Sequence, residues 1–191
     1  MDARIKRIIV DRALEKHEKL AAILRYLFVD LAGVSQTKYY ILGSYAIREH
    51  RTISDLDINM DHDEFFKLGA LTDRGMGAVQ IYGGAQIRWF FDLTHEYNAL
   101  AGAAEADFSV EAFQKRPADG FPDASFSLQA LKAARGLAVD PRFGHRFFSL
   151  PTLLRWKTAM NREKDRPDIE LLNQLLLKPR SKAAKKPKRT R

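Results

Sequence analysis

Residues 39–60 read Tyr-Tyr-Ile-Leu-Gly-Ser-Tyr-Ala-Ile-Arg-Glu-His-Arg-Thr-Ile-Ser-Asp-Leu-Asp-Ile-Asn-Met. An apolar run with strand character, Tyr39 to Leu42, ends in Gly43-Ser44. A short polar segment follows, and a second apolar run carries Asp55 and Asp57. Side chains two apart on a strand point to the same face, so the spacing predicts two carboxylates side by side. Such a pair repels unless positive charge lies between them, and a divalent cation is the usual solution. A Gly-Ser turn ahead of a helix start offers backbone N–H groups to a phosphate. The alternative for Ser44 is an ordinary helix N-cap.

Gly43-Ser44, Ala46 and Arg48, followed by Ser54-Asp55-Leu56-Asp57-Ile58, resemble the signature of the DNA polymerase beta-like nucleotidyltransferase superfamily, in its compact, minimal type. The signature spans about twenty residues, and features at 86–93 and 150–176 extend the likeness along the chain. The resemblance implies an α+β fold, with a mixed sheet of about five strands flanked by helices and C-terminal helices closing a cleft. It implies that Asp55, Asp57 and a third carboxylate on a neighbouring strand hold Mg²⁺ or Mn²⁺. It also implies transfer of a nucleoside monophosphate from an NTP to a hydroxyl acceptor, with release of pyrophosphate.

The third carboxylate has two candidates. Asp92 closes the apolar strand Gln-Ile-Arg-Trp-Phe-Phe-Asp, where Arg88, Phe90 and Asp92 share a face. A carboxylate there needs a partner: a metal, Arg88, or the start of the next helix. Glu111, within Phe-Ser-Val-Glu-Ala-Phe, is the rival. Arg48 either reaches a phosphate or braces one of the two strand aspartates. In the last third, Lys157 precedes Arg162-Glu-Lys164-Asp165 and Asp168. Compact nucleotidyltransferases show a similar series, and the likeness implies that Lys157 faces the triphosphate. Read without it, Asp165 and Asp168 flank Pro167 as the cap of a final helix.

Periodicity extends the reading. Apolar positions from Ile5 to Leu31 have helical spacing and predict one long helix ending near Gly33. Residues 79–82 and 86–93 predict a hairpin across Gly83-Gly84, 95–106 a helix, and 108–113 a fifth strand. Residues 115–125 read as a loop, and two helices are expected at 127–137 and 150–177. The domain expectation is a core over 1–125, a helical part over 126–177 and a disordered tail over 178–191. Trp89 and Trp156 read as core residues.

The chain has 191 residues, twelve Phe and no Cys, which excludes disulfides and thiolate metal sites. The five histidines lack zinc spacing. The net charge of +8 is local: from Lys178 to Arg191 there are eight basic residues and no acidic one, leaving 24 of each sign elsewhere. That tail reads as a nucleic-acid arm, a nuclear-import address or a solubilising terminus. No apolar run approaches the roughly 20 residues of a membrane span, and the amino terminus is amphipathic rather than signal-like. An intracellular protein, cytoplasmic or nuclear, is expected. Two non-catalytic readings compete with the enzyme: a degenerate nucleotidyltransferase-fold module that binds nucleic acid or a protein partner, and a small adaptor.

Overall fold

The amphipathic stretch 3–31, expected as one helix, folds as two. The computed structural model of the chain describes residues 1–82, 86–102, 107–114 and 124–177. Helix α1 spans Ala3–Val10, with the Asp2 carboxylate accepting from the backbone N–H of Arg4 and Ile5. Asp11 then bonds the Ala13 N–H, and Glu18 bonds the Glu15 N–H, so short acidic side chains take over donors that a continuous helix would use. Helix α2, Lys16–Leu24, begins there and runs on as a π-helical turn over Arg25–Leu31. The apolar spacing continues across the break, which hides it from periodicity alone.

The strands are β1 (Tyr39–Ile41), β2 (Asp55–Met60), β3 (Ala78–Tyr82), β4 (Gln86–Asp92), β5 (Ser109–Gln114), β6 (Leu137–Val139) and β7 (Arg146–Phe148). Helices α3 (His62–Phe66) and α4 (Gly69–Thr72) join β2 to β3, and α5 (Thr94–Ala101) joins β4 to β5. Helix α6 is Leu128–Ala133, and α7 (Leu150–Met160) and α8 (Arg166–Leu177) end the described chain. The strands form one mixed, open sheet in the order β3-β4-β5-β2-β1-β7-β6. The architecture is α+β with C-terminal helices, and the described sheet has seven strands where about five were expected.

The two added strands come from residues 137–148, the last residue of one expected helix and the connection to the next. Leu-Ala-Val and Arg-Phe-Phe are too short to register a period of two. Asp140 organises the turn between them: its carboxylate accepts the N–H groups of Arg142 and Phe143, both at 2.9 Å, and the Tyr45 hydroxyl at 2.9 Å. Burial would raise the Asp140 carboxyl, but these bonds and the Arg48 charge outweigh it and hold it below the usual range. The segment 126–177 is therefore not helical throughout, because β7 pairs in parallel with β1 and extends the sheet. The Gly83-Gly84 turn, most of the 115–125 loop and the basic tail 178–191 lie outside the described residues.

Each face of the sheet carries a core. Tyr39 and Ile41 of β1, with Leu56, Ile58 and Met60 of β2, pack beneath α1 and α2. Tyr40 and Leu42 point the other way and pack with Phe148, Leu153, Trp156 and Leu172 under the C-terminal helices. Trp89 is fully buried in the first core, as expected, edge-on to Phe28. Gly77 lies against it with φ +81°, and a Cβ there would sit 2.6 Å from the indole and 2.8 Å from the Phe90 carbonyl. Gly77→Ala is expected to cost about 2–4 kcal/mol through combined overpacking and backbone strain, read as a lower urea midpoint.

His145 gives the fold a pH dependence. The ring is fully buried, with Nδ1 2.8 Å from the Tyr39 hydroxyl and Nε2 2.9 Å from the Ala21 carbonyl. A carbonyl only accepts, so the neutral ring holds its proton on Nε2 and accepts from Tyr39. Burial pushes its pKa down to about 4. Because the folded value is depressed, this contribution is complete above the unfolded pKa of about 6.5 and is lost as pH falls through the folded pKa. The expected loss is about 3 kcal/mol between pH 6.5 and 4. Urea unfolding across that range should show it, and His145→Gln should flatten the slope.

Candidate functional site

Gly43 turns the chain from β1 into a short 3-10 helix, Gly43–Ile47, with φ +66°. No atom would obstruct a Cβ there, so glycine is required by backbone conformation rather than space. The Leu42 N–H donates to the Asp57 carbonyl at 2.7 Å, which fixes the turn beside β2. On β2, Leu56 and Ile58 point into the α1/α2 core, so Asp55 and Asp57 share the opposite face. Gly43, Ser44, Asp55, Asp57 and Lys157 all line one pocket of about 230 Å³ between the sheet and the C-terminal helices.

Lys157 does not reach into that pocket as an unengaged cation. It is 3% exposed, and its Nζ lies 2.7 Å from Asp165 Oδ1 and 2.9 Å from Asp168 Oδ2. Asn161, in the left-handed region at φ +49°, ends α7 and reverses the chain. That reversal carries Asp165, eight residues after Lys157, back beside it. Arg162 grips Asp165 through Nε (2.6 Å) and Nη2 (3.2 Å). Asp168 also accepts from Arg51 (2.6 Å) and from the Ser44 hydroxyl (3.1 Å). Burial alone would raise both carboxyls, but hydrogen bonds and charge from Arg162 and Lys157 at Asp165, and from Lys157 and Arg51 at Asp168, hold both low. The series Lys157, Arg162, Asp165, Asp168 is thus a buried ionic strut, and Ser44 ties the turn after β1 to α8.

Two expected site residues are placed elsewhere. Arg48 does not line the pocket. Its guanidinium lies 3.5 Å from Asp140 and over the rings of Tyr45 (4.7 Å) and Phe147 (4.9 Å), bracing the β6–β7 turn rather than an aspartate of β2. Asp92 is exposed, and its Oδ1 accepts the Thr94 N–H at 2.9 Å, capping α5. It shares the face and level of Asp55, since both oppose Ser109, but its strand is two removed from β2, about 10 Å away. Glu111 is nearer. It stands in register beside Asp57 on the adjacent β5 and pairs with Arg88 at 2.9 Å. Among the described residues no group of three or more His, Cys, Asp or Glu is gathered closely enough to hold a metal ion.

Sequence reasoning missed Arg51. The polar segment after Gly43-Ser44 contains two arginines, and nothing in their spacing says which turns toward the aspartates. Arg162 and Lys164 also line the pocket, and Trp156, a core residue as expected, forms part of its wall beneath the Arg162 guanidinium. No helix of the described residues is long and apolar enough to cross a membrane. No family model matches the chain, and no curated protein or solved structure matches it.

Proposed function

We propose that the protein is a metal-dependent nucleotidyltransferase of the DNA polymerase beta-like type, transferring a nucleoside monophosphate from an NTP to a hydroxyl acceptor with release of pyrophosphate. The observation that carries this reading is convergence. The Gly43-Ser44 turn and the Asp55/Asp57 pair line one pocket with the cationic end of the C-terminal helices, which lies about a hundred residues further along the chain. The oxygen donors of Asp55 and Asp57 suit a hard divalent cation. These two residues would hold Mg²⁺ or Mn²⁺; Glu111, in register beside Asp57, would join them as third carboxylate only on leaving Arg88, and the more distant Asp92 only on leaving the Thr94 N–H and moving closer. When bound, the metal supplies charge neutralisation to the triphosphate and acidifies the acceptor hydroxyl.

The chain's own residues supply the rest. Gly43 keeps the backbone open to close approach by a phosphate. Arg162 and Lys164 line the pocket and would offset the negative charge that pyrophosphate gains on leaving. Lys157 acts at one remove, by tying Asp165, which lines the pocket, to Asp168 of α8. The basic segment 178–191 favours a nucleic acid as acceptor. The test is incubation of the full chain with labelled NTPs, Mg²⁺ or Mn²⁺, and mixed tRNA and DNA oligonucleotides. Transfer of label with pyrophosphate release is expected.

The Arg88–Glu111 pair supports a second reading. A carboxylate already neutralised by arginine suits a degenerate fold that binds nucleic acid or a protein partner without chemistry. The two readings separate by calorimetry. The enzyme should bind ATP more tightly with Mg²⁺ than without it, and the degenerate module should show no metal linkage.

A further inference from the structure

We propose that Arg51 grips the triphosphate of the bound nucleotide, leaving Asp168 to do so. This rests on the reading of the pocket as an NTP site and adds a residue to it. Of the cations around the pocket, Lys157 is enclosed between two carboxylates and cannot turn outward without abandoning both. Arg162 holds Asp165 with two donors, and without it Asp165 would keep Lys157 alone. Lys164 is an exposed ammonium that adds charge but no planar fork.

Arg51 differs on both counts. Its side chain is 48% exposed and lines the same pocket as Ser44, Asp55 and Asp57. One nitrogen, Nη1, makes both its contact with Asp168 (2.6 Å) and its longer contact with Ser44 Oγ (3.4 Å). If it leaves, Asp168 still has Lys157 at 2.9 Å and the Ser44 hydroxyl at 3.1 Å, so the buried carboxylate is not orphaned. Departure therefore leaves Asp168 paired, and the freed guanidinium presents a bidentate fork that matches two phosphate oxygens.

The test compares the wild-type chain with Arg51→Gln and Arg51→Lys by calorimetry, using Mg²⁺–ATP and inorganic triphosphate as probes, with thermal unfolding in parallel. Loss of one charged contact should weaken both probes about 10- to 100-fold in Arg51→Gln, with partial recovery in Arg51→Lys. The melting temperature should stay within a few degrees of wild type, because Asp168 keeps two donors. Unchanged triphosphate binding in Arg51→Gln overturns the proposal, as does a large fall in melting temperature that Arg51→Lys fails to restore. A wild-type chain that binds neither probe overturns the NTP reading itself, and the grip with it.

Discussion

Asp57→Asn is expected to reduce nucleotidyl transfer at least about 1,000-fold, some 4 kcal/mol of transition-state stabilisation, while the protein stays folded. The substitution keeps the shape of the side chain and removes the negative charge on which a divalent cation depends. Asp57 is half-buried on the pocket face of β2 and lies outside both hydrophobic cores, so its replacement opens no cavity. Two neighbours make the test specific. Glu111→Gln should match Asp57→Asn if Glu111 is the third carboxylate, because it stands in register beside Asp57. Asp92→Asn should then cost little activity, since that side chain caps α5 two strands away. The readout is initial rate with the best NTP at saturating Mg²⁺, with circular dichroism as the folding control. Wild-type rates in Asp57→Asn would end the metal assignment.

Lys157→Met is expected to destabilise the fold by about 3 kcal/mol or more. The substitution fills similar volume but removes the cation between two carboxylates that are 2% and 6% exposed. Arg162 and Arg51 remain beside Asp165 and Asp168, which holds the loss to the lower end of the usual range for a broken buried pair. The pH dependence provides a signature that cavity effects would not. In the wild type both carboxyls titrate below their ordinary value, so their contribution is full above about pH 3.8 and disappears as pH falls through the folded values. Without Lys157 the same carboxyls are more easily protonated, and protonation relieves the uncompensated charge. The gap between variant and wild type should therefore narrow as pH falls toward the carboxylate range. Adding Asp165→Asn to Lys157→Met should recover part of the loss. Urea unfolding at pH 7 and pH 4.5 measures all three proteins.

The elements nearest Gly43-Ser44 and Asp55-x-Asp57 were legible because their signals are local. Apolar runs predict strands at 38–43 and 55–60, where β1 and β2 form, and the Asp-x-Asp spacing alone puts both carboxylates on one face of β2. The hairpin strands and β5 follow from similarly local patterns, whereas the single helix expected over 150–177 is broken at Asn161 into α7 and α8. What was misread is also informative. The break between α1 and α2 depends on acidic side chains capping backbone N–H groups, a hydrogen-bonding choice that leaves the apolar spacing unchanged. Strands β6 and β7 are three residues each, and they form because Asp140 closes their turn and β1 presents an unpaired edge.

Sequence by itself determined the shared face of Asp55 and Asp57 and the glycine turn beside them, because each depends on dihedral periods and on residues within a few positions of one another; the α+β class came with the family resemblance. Only the tertiary structure decided which charged groups meet them. Lys157 looked like a phosphate hand and is a buried strut, Arg48 braces a distant turn, Arg51 faces the pocket, and Glu111 rather than Asp92 stands beside Asp57. Those pairings follow from strand order and from the reversal at Asn161, which bring together side chains up to 124 positions apart. A one-dimensional pattern carries no term for such contacts, because their energies depend on burial and on which partner arrives.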